Sequence, residues 1–213
     1  MKYMRFYLCI IFILSMVTSC DRTDCLDKKS TQSYIPSENI SSAPSISTTD
    51  KIIAEGDHFQ LVSHGLKKTT YYIFDVHGNI VAKKHNDQMS VTVNEQNGVV
   101  IVREGLGNGP PATMYYCVEK DKFSSVYYDV VAYEDEIVIY PQPDGSGIVI
   151  ESVFDSSIYK TIDCRLDMSF RKAIQKAYFE DGSAVVEYKC FIDENSDKTV
   201  VKKEIVPLHS SVK

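Results

Sequence analysis

Tryptophan is absent from this 213-residue chain, and lysine and arginine never run together for more than two positions. A net charge of −6 with no cationic cluster argues against nucleic acid or anionic headgroups as the main partner, because phosphate recognition needs a positive face. The five histidines, His58, His64, His77, His85 and His209, form neither an i, i+4 pair nor a zinc pattern with cysteine. No Gly-x-Ser-x-Gly elbow occurs, and no cysteine stands in a protease-like setting. The run Gly105-Leu106-Gly107-Asn108-Gly109-Pro110-Pro111 is glycine-rich, but it ends in prolines where a phosphate loop needs the amides of a helix. These patterns imply no cofactor, no metal and no catalytic residue.

No apolar run is long enough to cross a bilayer. Phe6–Met16 falls short of the ~20 residues that a spanning helix requires. Lys2 and Arg5 precede it, and the small and polar residues Val17-Thr18-Ser19-Cys20 follow. That order is the layout of a signal peptide. Its last four residues resemble the lipobox of bacterial lipoproteins. The resemblance implies cleavage before Cys20 and transfer of acyl chains to that cysteine, so that residues 1–19, with Cys9, are discarded. Two buried acyl chains hold a protein to a membrane where one is marginal, at about 0.8 kcal/mol per CH₂. Asp21 resembles the inner-membrane retention signal of double-membraned bacteria, and in a single-membraned host it carries no such meaning. The expected location is the extracytoplasmic face of the cell membrane. The leader holds two basic residues and no acidic one, so its removal takes the net charge from −6 to −8.

Residues 20–50 read as the lipidated cysteine and a disordered tether. Lys28–Ser33, Ser41–Ser45 and Thr48-Thr49 are serine, threonine and proline with scattered charge, too polar to offset the entropy of ordering. Residues 51–213 are long enough for one domain with a sizeable core. Fourteen tyrosines and many β-branched residues favour sheets.

The pattern from Lys51 onward is short apolar runs broken by turn residues. Tyr71–Phe74 and Ile80-Val81 flank Gly78-Asn79, and Ser90–Asn94 and Gly98–Arg103 flank Asn97. Met114–Val118 is expected to pair with Phe123–Val131, and Ile137–Tyr140 with Ile148–Phe154. Ala184–Ile192 pairs with Thr199–Val206, placing Val186, Tyr188, Cys190 and Ile192 on one face. Ser169–Glu180 fits a short helix, but Asp181-Gly182 directly before a strong strand favours a hairpin. The fold class expected is all-β, an antiparallel hairpin meander. Hairpins recur at spacings compatible with a partial β-propeller, while a sandwich or barrel gives similar spacings. The segment from Tyr115 to Ile162, with Glu119–Ser124 and Val153–Ser157, resembles uncharacterised extracytoplasmic lipoproteins of anaerobic Gram-positive bacteria. That resemblance implies no activity.

Two groups mimic known chemistry. Asp193, Asn195, Asp197, Val200 and Glu204 match positions 1, 3, 5, 8 and 12 of a calcium loop. Lys198 replaces its glycine and the flanks read as strands, so a solvated turn is expected. Glu134-Asp135-Glu136 reads as a turn tip. Cys117, Cys164 and Cys190 are expected as buried free thiols, with Cys164 and Cys190 the best pair if a disulfide forms and Cys25 unpaired in the tether. The function expected is a non-catalytic binding module that meets a protein, peptide or glycan through loops and exposed tyrosines. The alternative is a cell-envelope hydrolase acting on glycan or peptide, with carboxylates drawn from separate strands.

Overall fold

The computed structural model describes residues 50–208 apart from 67, 88–89, 106, 156, 169–172 and 194. The expected leader, Cys20, most of the tether with Cys25, and His209 lie outside the described residues.

The described chain is all-β, as its alternating pattern predicts. Strands β1 (Lys51–Gly56), β2 (Phe59–Ser63), β3 (Lys68–Phe74) and β4 (Ile80–Asp87) form a first antiparallel sheet in sequence order. The second sheet holds β5 (Val91–Gln96), β6 (Val99–Glu104), β7 (Ala112–Cys117) and the short β8 (Lys122–Phe123) and β9 (Tyr127–Tyr128), both paired with β7. A third is built from β10 (Ala132–Glu134), β11 (Ile137–Pro141), β12 (Gly147–Ser152) and β13 (Ile158–Asp163). The fourth comprises β14 (Ile174–Glu180), β15 (Ser183–Phe191) and β16 (Thr199–Pro207). None of the four closes into a barrel.

The sheets stack in a row because the inner two are apolar on both faces. Val100, Val102, Met114 and Tyr116 meet Leu61, Tyr71 and Ile73 of the first sheet. The alternate residues Val99, Tyr115 and Cys117 meet Val138 and Phe154 beside the third. Ile137, Ile139, Ile148 and Ile150 then pack on Ala184, Val186, Tyr188 and Cys190 of the fourth. Two-residue alternation thus sends β6, β7 and β11 each into two separate cores. Burying one such isoleucine contributes about 1.5–3 kcal/mol.

A backbone hydrogen bond recurs in every sheet. The amides of Phe74, Val118, Val153 and Leu208, each at the end of a third strand, donate to the carbonyls of His58, Gly98, Glu136 and Gly182 at 2.9–3.0 Å. Each acceptor sits in the turn of its sheet's first hairpin. The four sheets are therefore structural repeats, although the residues at these positions differ.

Three details depart from the sequence reading. Phe123–Val131 is not one strand: Ser124 Oγ accepts the Tyr115 amide, and the chain then kinks so that only Tyr127-Tyr128 rejoins β7. Ile192 lies past the end of β15 and is exposed rather than sharing the face of Cys190. The tyrosines are core residues, not a display surface. Tyr71, Tyr72, Tyr115, Tyr116, Tyr127 and Tyr188 are buried, and among the described tyrosines only Tyr128 is exposed. The strand-and-hairpin reading of the region after Ser169 holds where it is described, with Ile174–Glu180 extended and paired to β15.

Candidate functional site

The first hairpin of each sheet turns at the same end of the row. The turns are Asp57-His58, Asn97-Gly98, Asp135-Glu136 and Asp181-Gly182. Asn97, Gly98, Asp135, Glu136, Asp181 and Gly182 all have φ between 45° and 73°. Such turns match the right-handed twist of their strands, and asparagine, aspartate and glycine tolerate that backbone best. Glutamate does not, which marks Glu136 as the unusual member.

Side chains tie neighbouring turns together. His58 Nδ1 lies 2.8 Å from Glu95 Oε1, and the His58 amide donates to Glu95 Oε2 at 3.1 Å, joining the first sheet to the second. Lys120, from the loop between β7 and β8, donates to both oxygens of Glu136 at 2.6 and 2.7 Å. That contact joins the second sheet to the third and raises the Lys120 pKa above its ordinary value.

Two shallow, open pockets lie between these turns, each of about 290 Å³. One is lined by Gln96, Asn97, Val99, Tyr133, Asp135 and Glu136. The other runs from Glu134 and Asp135 to Glu180, Asp181 and Ser183, with Ile137, Phe179 and Leu208 as apolar wall. Asp135 belongs to both. Ionised carboxylates only accept hydrogen bonds, so this surface suits donors and cations. Tyr133 adds a donor of the opposite kind. Burial, reinforced by the Glu136 charge, pushes its phenol up to about 12, so it keeps its proton. The ring is held by stacking on Tyr115, with centroids 4.5 Å apart.

No family model matches the chain, and no curated protein sequence matches it.

The residues singled out from sequence fall in several places. Glu134-Asp135-Glu136 is a turn tip as expected, and it now stands between two pockets rather than alone in solvent. His77 lies in the turn between β3 and β4, where its amide donates to Asp75 Oδ1. His64 and His85, which are 21 positions apart in the sequence, share one partner, Thr70, at the opposite end of the first sheet. The glycine-rich loop joins β6 to β7, with strands on both sides. Asp193 lies between β15 and β16, where its Oδ1 accepts the Asn195 amide. Strands flank this calcium-like loop where that motif needs helices. Cys117, Cys164 and Cys190 are free thiols, and burial pushes Cys164 up to about 11.

Tyr133 and Asp181 were not among the residues chosen from sequence. The available signal was the recurrence of turn dipeptides, Asn97-Gly98 and Asp181-Gly182, two sheets apart. Recognising that these turns line up requires knowing that the sheets stack.

Proposed function

We propose that the chain is a lipid-anchored lipoprotein of the cell envelope, held through Cys20, whose four-sheet domain is a non-catalytic binding module. The observation that carries the binding reading is the row of hairpin turns, which sets two open, carboxylate-lined pockets side by side at one end of the stack. Shallow walls on rigid hairpins suit contact with a protruding group of a larger ligand. The excess of acceptors favours a protein, peptide or glycan that brings amines. The anchor reading rests on the lipobox resemblance of Val17–Cys20 and on the mature charge, which repels anionic headgroups and leaves the acyl chains as the attachment.

Both halves have direct tests. Labelled fatty acid enters the wild-type protein and not Cys20→Ala; label in the variant contradicts the anchor. Asp135→Lys reverses charge at the residue common to both pockets. It abolishes binding of an oligolysine peptide while leaving the circular dichroism spectrum unchanged. Undiminished binding by that variant contradicts the turn-end site.

A further inference from the structure

Two imidazoles converge on one hydroxyl at the opposite end of the first sheet, on the face turned away from the second. His85 stands opposite Thr70 in the β3–β4 register, and His64 directly follows β2. His64 Nε2 lies 2.8 Å from Thr70 Oγ1, and His85 Nδ1 lies 2.9 Å from the same oxygen. Each ring's other nitrogen faces a carboxylate. His64 Nδ1 is 2.8 Å from Asp50 Oδ1, and His85 Nε2 is 3.2 Å from Asp87 Oδ1.

Counting hydrogens exposes a shortfall. A carboxylate only accepts, so a ring in its neutral form that gives its single N–H to its aspartate turns a bare lone pair toward Thr70. Thr70 has one proton for two lone pairs. A cation placed between the two nitrogens satisfies both. Histidines oriented by carboxylates on their far nitrogens are also the usual wiring behind imidazole metal ligands.

We propose that His64 Nε2 and His85 Nδ1, with Thr70 Oγ1 beside them, bind a divalent transition-metal ion of the zinc class, with Asp50 and Asp87 orienting the rings. Imidazole nitrogens suit zinc, copper and nickel, whereas calcium and magnesium demand oxygen cages. Among the described residues no three histidine, cysteine or carboxylate side chains converge as ligands. Water or an external ligand therefore completes the shell, and the ion exchanges readily. Zinc–nitrogen bonds of about 2.0–2.1 Å require the two nitrogens to stand within about 4 Å of each other. The ring centroids are 5.6 Å apart, and the His85 side chain is 49% exposed, so rotation of that ring can close the gap. Thr70 is buried and anchors the site from below.

The test is calorimetric titration of the full chain with Zn²⁺, paired with Co²⁺ absorption to report the ligand set. One ion binds per chain, and His64→Gln and His85→Gln each weaken binding at least about tenfold, with Asp50→Asn and Asp87→Asn costing roughly 10–100-fold. His85 is on the exposed side of the pair, so its variant gives a reading even if His64→Gln fails to fold. Equal Zn²⁺ affinity in the wild type and His85→Gln overturns the site. So does a thiolate charge-transfer band with Co²⁺, which places the ion on cysteine. Absence of Zn²⁺ binding, with nitrogen NMR showing one ring doubly protonated, assigns the gap to a proton and overturns it equally.

Discussion

The Val153 amide donates to the Glu136 carbonyl at 2.9 Å, pinning the first turn of the third sheet to the end of its third strand. Glu136 holds φ at 64° to offer that carbonyl, where the second and fourth sheets use Gly98 and Gly182 at 73° and 69°. An L side chain in this region costs about 1–2 kcal/mol. Gly98→Val and Gly182→Val are therefore each expected to lower the melting temperature by roughly 2–8 °C. Glu136→Gly relieves the same strain and loses a half-exposed pair with Lys120, worth at most about 1 kcal/mol. It leaves the melting temperature unchanged or raised, and a drop as large as that of Gly98→Val contradicts the assignment.

Lys84 Nζ lies 2.7 Å from Glu104 Oε2 between the first two sheets, while Glu104 Oε1 is buried without a partner among the described residues. Lys84→Met strips the carboxylate of this contact. Because the lysine is 42% exposed, the expected loss is the lower part of the range for an unsatisfied buried group, about 1–2 kcal/mol. Removing both charges in Lys84→Met/Glu104→Met restores most of it, since paired deletion leaves no orphan. Denaturant melts of the two variants check this, and a double variant less stable than the single one refutes it.

Much of the turn end was visible in the sequence, because Asn97-Gly98 and Asp181-Gly182 announce their backbone in their residue types. The repeat was not. Its signature is a hydrogen bond between main-chain atoms of Val153 and Glu136 and their counterparts, which places no demand on side-chain identity. The break in Phe123–Val131 was hidden for a related reason. Ser124 replaces one rung of the ladder with its hydroxyl, and a serine within an apolar run carries no mark of doing so. His64 and His85 escaped a search for ligand spacing because strand pairing, not chain neighbourhood, brings them to Thr70. Only the β2–β3 and β3–β4 registers together disclose that.

The tyrosine core predicts alkaline behaviour. Burial raises Tyr133 and Tyr188 to about 12 and lifts Tyr115, Tyr116, Tyr127 and Tyr140 further, the last two also bonded to Glu151. The folded state holds these protons more tightly than the unfolded chain, whose phenols release theirs near pH ~10. Stability is thus full below pH ~10 and falls as pH rises from there toward the folded values. Phenolate absorbance should rise in two steps, the second coinciding with loss of near-ultraviolet circular dichroism. A single step with the fold intact contradicts the burial of these rings.

The binding reading is tested most directly by mapping where a ligand lands. Backbone amide NMR would follow titration with an oligolysine peptide, an amine-bearing chitosan oligomer and its N-acetylated counterpart. The amine-bearing probes are expected to shift Gln96–Gly98, Tyr133–Ile137 and Phe179–Ser183 together, with the acetylated sugar weaker and no probe cleaved. Shifts confined to other surfaces, or turnover of a probe, would contradict a non-catalytic module that binds through its turns.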